Sequence, residues 1–190
     1  MKKVITIAGT NSQKSINKRL LSYTSGLLEN IELVSIDLND YVLPIYGVDF
    51  EEENGIPTAI KRLNEVFDTA DGFIIALAEH NGTYTAVFKN TLDWLSRANM
   101  KVWRDKPTFL MATSPGGRGG ISVLEAAKAY FPFLGGKIIA DFSLANFYDN
   151  FFEDEISDEI LKEELKGKVA FYEKFFNLKS STPQQYNVNS

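Results

Sequence analysis

Cysteine is missing altogether from the 190 residues. Its absence removes disulfides, thiolate metal ligands and a cysteine nucleophile, though it does not fix the compartment. Histidine is nearly missing too. His80 stands alone, so a multi-histidine metal site cannot form and a Ser-His-Asp triad would have a single candidate base. Basic charge is in deficit, with 20 Lys and Arg against 25 Asp and Glu and a formal net charge of −5. That is the opposite of the footprint of a nucleic-acid binder. No signal peptide is expected ahead of the first strand, and these residues hold no apolar run long enough to span a bilayer and no internal repeat. The expectation is a soluble cytoplasmic protein. With 44% hydrophobic residues, the chain has material for one domain with a sizeable core. That domain is expected over residues 1–178, followed by a polar, aperiodic and disordered tail at 179–190.

Apolar runs and small-residue corners alternate along the chain. Val4 to Ala8 reads as a buried strand, and Leu20, Leu21, Leu27, Leu28 and Ile31 as the stripe of a helix behind it. Between them lies Gly9-Thr10-Asn11-Ser12-Gln13-Lys14-Ser15-Ile16-Asn17. A strand, a hydroxyl-rich turn and a helix N-terminus together can hold a phosphate, because the first N–H groups of a helix are unpaired and its dipole favours an anion. Ser and Asn capping the helix explain this segment alone equally well. Leu33 to Ile36 forms a second strand, and Tyr41 to Gly55 a long irregular stretch with solvated acidic residues Asp49, Glu51, Glu52 and Glu53. Pro57 opens a helix striped by Ile60, Leu63, Phe67 and Ala70.

Phe73 to Ala78 is apolar on both faces, as for a central parallel strand, and delivers the polar turn Glu79-His80-Asn81-Gly82-Thr83-Tyr84. Val87, Phe88, Thr91, Leu92, Trp94, Leu95 and Ala98 then cover nearly half a helix, wider than one sheet requires. The surplus at Trp94 points slightly towards a partner subunit rather than its own chain. Thr108 to Thr113 is the fourth strand, followed by Ser114-Pro115-Gly116-Gly117-Arg118-Gly119-Gly120 and an almost wholly apolar helix, Ile121 to Leu134. Lys137 to Phe142 is the fifth strand. An aromatic segment, 147–152, and a last helix striped by Leu161, Leu165, Val169, Tyr172 and Phe176 complete the pattern.

Five strands alternating with five helices imply an α/β fold, a parallel sheet covered on both faces. Ligands of such sheets bind outside the carboxyl ends of the strands, at the switch point. In the order 2-1-3-4-5 that point lies between strands one and three. The polar corners 9–17, 79–84 and 114–120 then share one edge, which lifts the phosphate reading well above simple capping.

These residues resemble the NADPH-dependent FMN reductase family, flavodoxin-like flavoproteins that include quinone, azo-dye and chromate reductases. Its opening Gly-Ser-x-Arg-x-x-Ser-x-Asn loop is matched by Gly9, Thr10, Ser15 and Asn17. Its Pro-Glu-Tyr-Asn-Gly-Ser signature and the helix with Leu-Lys-Asn-Ala-Leu-Asp-Trp are matched by Glu79-His80-Asn81-Gly82-Thr83 and Phe88-Lys89-Asn90-Thr91-Leu92-Asp93-Trp94. Ser114-Pro115-Gly116-Gly117 matches its Ser-Pro-Gly loop, and Leu43-Pro44 its Leu-Pro segment. The similarity covers roughly residues 1–150. Two positions depart: Ser12 replaces the arginine of the phosphate loop, and His80 the tyrosine. Losing the arginine removes a charge-assisted contact of about 1.5–3 kcal/mol, for which Lys14 offers only a point charge.

The resemblance implies a flavodoxin-like three-layer sandwich, with a five-stranded parallel sheet of order 2-1-3-4-5 between two helical layers. It implies FMN as cofactor, with Gly9, Thr10, Asn11, Ser12, Ser15, Ile16 and Asn17 at the phosphate. Glu79, His80, Asn81, Gly82, Thr83, Tyr84, Ser114, Pro115, Gly116 and Gly117 would flank the ring. Lys14 and Arg118 are candidate contacts for the phosphates of NADPH or NADH. The implied activity is ping-pong electron transfer from NAD(P)H through FMN to a quinone, azo compound, metal oxyanion or free flavin. No catalytic acid or base and no metal are expected. A flavin-binding electron carrier or redox sensor, or a phosphate-binding domain that has lost flavin, are the competing expectations. The partners expected are a small-molecule acceptor, neither nucleic acid nor membrane, and further copies of the chain. Those copies would form a homodimer or homotetramer through helices 84–98 and 121–134.

Overall fold

The computed structural model describes residues 1–177, so the tail expected at 179–190 lies outside the described residues. Five parallel strands form the central sheet: β1 (Lys2–Ala8), β2 (Ile31–Ile36), β3 (Gly72–Leu77), β6 (Lys106–Thr113) and β7 (Gly136–Leu144). Their spatial order is β2-β1-β3-β6-β7, the expected 2-1-3-4-5 arrangement. Strands β4 (Glu79–His80) and β5 (Thr83–Tyr84) make one small antiparallel hairpin; β8 (Phe151–Phe152) and β9 (Glu155–Ile156) make another. The helices are α1 (Ile16–Gly26), α2 (Val48–Asn54), α3 (Thr58–Asp68), α4 (Ala86–Ala98), α5 (Ile121–Tyr130), α6 (Phe147–Asn150) and α7 (Glu159–Asn177).

The period-two alternation of a strand separates two cores. Ile5 and Ile7 of β1, Phe73, Ile75 and Leu77 of β3, and Leu110 and Ala112 of β6 face a layer made by α3, α4 and α5. Val4 and Ala8, Ile74 and Ala76, and Phe109 and Met111 face α1, α7 and the aromatic segment 147–151. Every residue of β3 is buried, which is why its sequence shows no polar alternation. At its start Gly72 leaves room for the Tyr172 hydroxyl and the Phe176 ring of α7, both of which a Cβ there would overlap. The Tyr172 hydroxyl donates to Phe73 O at 3.1 Å.

Several expectations change. α1 stops at Gly26; Leu27 caps it, and Asn30, at φ 55°, turns the chain so that Ile31 opens β2 instead of extending the helix. The stretch 41–55 is not irregular throughout, because it contains α2. That helix buries none of its residues, so it left no apolar periodicity to find. α5 ends at Tyr130 rather than Leu134, since Pro132 cannot continue it; Phe131 and Leu134 still enter the core from the following turn.

Trp94 is fully buried by its own chain, which overturns the preference for a partner there. Its indole N–H donates to Pro44 O at 2.8 Å, and its ring meets Tyr46 and Phe50 edge-on. Asn90 donates to Pro44 O at 3.0 Å and accepts from Tyr46 N at 2.8 Å, while Glu51 receives Tyr46 Oη and Arg97. The surplus apolar arc of α4 thus holds residues 43–51 down as a strap. Among the described residues, no helix is long and apolar enough to cross a membrane.

Candidate flavin site at the carboxyl edge of the sheet

β1, β3 and β6 deliver the corners 9–15, 78–85 and 114–120 to the same edge of the sheet. At the first corner, Gly9 lies so close to α4 that a Cβ would stand 3.2 Å from the Phe88 ring. Thr10 is buried and its hydroxyl accepts from Ser12 N at 3.1 Å, bracing the turn. Ser15 is the N-cap of α1 and accepts from Lys18 N at 3.4 Å. The backbone N–H groups of Gln13, Lys14, Ile16 and Asn17 have no acceptor among the described residues, and the Ser15 N–H is engaged only in the turn over 13–14. Asn11, Ser12, Gln13 and Lys14 are exposed around them. Unpaired amides at a helix N-terminus, with hydroxyls and a lysine beside them, are the donor set a phosphate dianion needs. Lys14 has no ion pair among the described residues, whereas Lys18 is engaged with Asp37 at 2.9 Å. The Asn39 N–H, and after it Lys18, hold the Asp37 carboxyl below its usual range.

Asn17 does something the sequence did not suggest. Its Nδ2 donates to Thr113 O at 3.1 Å and its Oδ1 accepts from Thr113 N at 3.0 Å. β3 stops pairing with β6 at Leu77–Ala112, one residue short of Thr113. The Asn17 amide therefore satisfies a peptide group that the next residue of a longer β3 would have taken. Its side chain is a brace between the first and third corners, and only its main chain belongs to the unpaired amides.

The second corner is a hairpin, tighter than the polar turn expected from the sequence. Asn81 (φ 52°) and Gly82 (φ 78°) form its two-residue turn, the left-handed pair that Asn-Gly accommodates. His80, Asn81, Gly82 and Thr83 are exposed. The Tyr84 ring packs inward against Phe88 and Phe131, and burial pushes its phenol up to about 12. Thr85 escaped the sequence reading. As N-cap of α4 it accepts from Phe88 N at 3.2 Å, and its hydroxyl donates to Gly9 O at 2.8 Å, tying the second corner to the first. A hydroxyl residue directly before the helical stripe was the available signal.

At the third corner the glycines divide into two kinds. Gly119 and Gly120 are left-handed (φ 58° and 76°) and are packed against Ser143 and Ala112, so a Cβ has no room. Gly116 faces open space and Gly117 meets nothing nearer than Asn146 Oδ1 at 3.7 Å. The loop is held by Asn146 N on Gly116 O and Phe147 N on Ser114 O, at 3.0 and 3.1 Å, while Ser114, half-buried, donates to Gly116 O. Pro115, Gly116, Gly117 and Arg118 are exposed, and the Arg118 guanidinium reaches Ser122 Oγ at 2.7 Å.

A family model described as NADPH-dependent FMN reductase matches residues 2–149. The chain belongs to that family. It is an oxidoreductase that works with FMN and a reduced nicotinamide nucleotide. Over 133 residues it is 30% identical to a quinone reductase of Pseudomonas putida, covering 69% of this chain and 70% of that protein. It is also 30% identical over 121 residues to a quinone reductase of Escherichia coli K12, covering 62% of each, so the match falls short of two thirds of that relative. The flavoenzyme FerB, an NAD(P)H:(acceptor) oxidoreductase of Paracoccus denitrificans, superposes with a TM-score of 0.74 at 24% identity, over 93% of this chain and 98% of FerB. That likeness bears on the fold.

Proposed function

We propose that the carboxyl edge binds FMN with its phosphate on the corner 9–17 and its ring between 79–84 and 114–117. The observation that carries this reading is the set of unpaired amides of Gln13, Lys14, Ile16 and Asn17, on an edge shared with two exposed glycine-bearing corners. When bound, FMN supplies the two-electron centre that is reduced by NAD(P)H and reoxidised, in ping-pong order, by a small acceptor such as a quinone, azo compound, metal oxyanion or free flavin. The chain's own residues position and shield. Thr10, Ser15 and the first amides of α1 orient the phosphate. The missing side chains at Gly116 and Gly117 let the main chain approach a flat ring. His80, at the hairpin tip, and Arg118 border the open side, where Arg118 and Lys14 offer positive charge to the phosphates of the nicotinamide nucleotide. We further propose that copies pair through the end of α5, where Tyr130 and Phe133 are 50% and 75% exposed.

A flavin titration tests the site. The protein should quench FMN fluorescence with one-to-one stoichiometry. Gly116→Val, at a position where an added Cβ meets nothing within 4 Å, should melt like the wild type yet lose flavin. Equal FMN affinity in that variant would refute the placement of the ring.

A further inference from the structure

The first turn of α5 presents an unusual problem. Its N-cap is Gly120, which has no side chain and sits at φ 76°. No larger residue fits there, because a Cβ would lie 2.9 Å from that of Ala112. The ordinary solution, a local Ser, Thr or Asp accepting from the third helical N–H, is therefore blocked by the packing of the glycine loop on the end of β6. The N–H of Val123 is nevertheless satisfied. Glu79 Oε2 accepts from it at 3.0 Å, from 44 positions upstream and from the other ring-flanking corner. The same hairpin also touches the far end of α5, where Tyr84 stacks on Phe131 with ring centroids 6.1 Å apart and planes 17° apart. One short hairpin is thus fastened to both ends of a single helix, by a hydrogen bond at the start and by a ring pair at the finish.

We infer that Glu79 is a positioning residue: its carboxylate caps α5 from outside the helix and so fixes the spacing between the hairpin 79–84 and the glycine loop 114–120. The ring is held between those two corners, so the inference rests on the flavin placement proposed above. Without the Glu79 contact, the hairpin loses its polar tie to α5 and the Val123 amide loses its acceptor. The glycine loop's own side-chain contact with the helix start is then the exposed Arg118–Ser122 pair, which leaves the Val123 amide without an acceptor. What matters is reach and acceptor geometry. The negative charge favours a helix N-terminus, but a neutral amide oxygen of the same length can accept the same hydrogen bond.

Three substitutions separate these terms. Glu79→Gln keeps the length and an acceptor but loses the charge. Glu79→Asp keeps the charge but is one methylene short, and Glu79→Ala keeps neither. In the flavin-free protein, amide exchange at Val123 should speed up in the Ala and Asp variants and stay slow in the Gln variant. In FMN titrations the Ala and Asp variants should bind about tenfold more weakly, the upper end of the fold-change expected for one ordinary hydrogen bond, and Gln should restore wild-type affinity. Exchange and binding unchanged in all three variants would overturn the inference. So would rescue by Asp but not by Gln, which would make charge the operative property. Failure of the wild type itself to bind FMN would sink the flavin placement instead. The exchange measurements would still decide whether Glu79 caps α5.

Discussion

Removing the Asn17 amide should cost the flavin-free protein more than any contact with a ligand could explain. Thr113 is 1% exposed, and both of its main-chain groups end on Asn17, at 3.0 and 3.1 Å. Asn17→Ala leaves a buried donor and a buried acceptor unpaired, and each such orphan costs about 1–3 kcal/mol. Some relaxation is available at the end of a strand, so the total works out at about 2–4 kcal/mol. For a domain of this size each 1 kcal/mol moves Tm by about 2–4 °C; the expected drop is therefore roughly 4–16 °C. Asn17→Asp sharpens the test. Near neutral pH its carboxylate can still accept from Thr113 N but faces Thr113 O with no proton to donate, so it should be less stable than the alanine variant. The new carboxyl would have a raised pKa in the fold, because only its protonated form satisfies both Thr113 groups. A raised folded-state pKa gives stability that is present below the unfolded value of about 3.9 and lost as pH rises through the folded value. The deficit of Asn17→Asp should therefore shrink on acidification towards about pH 4. Denaturant melts of flavin-free protein at both pH values decide the matter. A loss below about 1 kcal/mol for Asn17→Ala, or no pH dependence for Asn17→Asp relative to it, would show that Asn17 is not the brace described.

Gly120→Ala combines a left-handed backbone with a Cβ at 2.9 Å from Ala112 and should destabilise by about 2–4 kcal/mol in denaturant melts. Trp94→Phe should lose the bond to Pro44 O at a cost of about 0.5–1.5 kcal/mol, and amide exchange over 43–55 should accelerate while exchange in β3 stays slow. The buried Tyr84 hydroxyl has no hydrogen-bond partner among the described residues, so Tyr84→Phe should be neutral or mildly stabilising. Because its phenol is raised to about 12, its contribution is complete below the unfolded value of about 10 and is lost as pH climbs from there through 12. The alkaline absorbance titration of the Tyr84→Phe variant should lack that late component.

Much of the architecture could be seen in the sequence because parallel strands buried on both faces read as unbroken apolar runs. Phe73 to Leu77 is the plainest case, and it fixes where the second corner must emerge. The Asn81-Gly82 pair likewise carries its own turn chemistry. What escaped detection depends on side-chain direction across long separations. No local pattern tells Asn17 that β3 will end one residue before Thr113, or tells Glu79 that Gly120 cannot cap its helix. Trp94 looked like surplus because the strap that covers it, 43–51, packs through main-chain carbonyls and single aromatic rings instead of a periodic stripe. α2, with nothing buried, had no signature except the glycines at either end.

That strap has an engineering consequence. It is latched by Asn90, Trp94 and Arg97 of α4, while Val42 and Ile45, each 86% exposed, stand clear of the core on either side of Leu43 and Pro44. Sequence diversity introduced at those two positions can vary the strap's outer surface, where Val42 shares a groove with Asn11 of the first corner, without disturbing the layers beneath. On the flavin placement proposed above, a library aimed at a different clientele of electron acceptors would begin there.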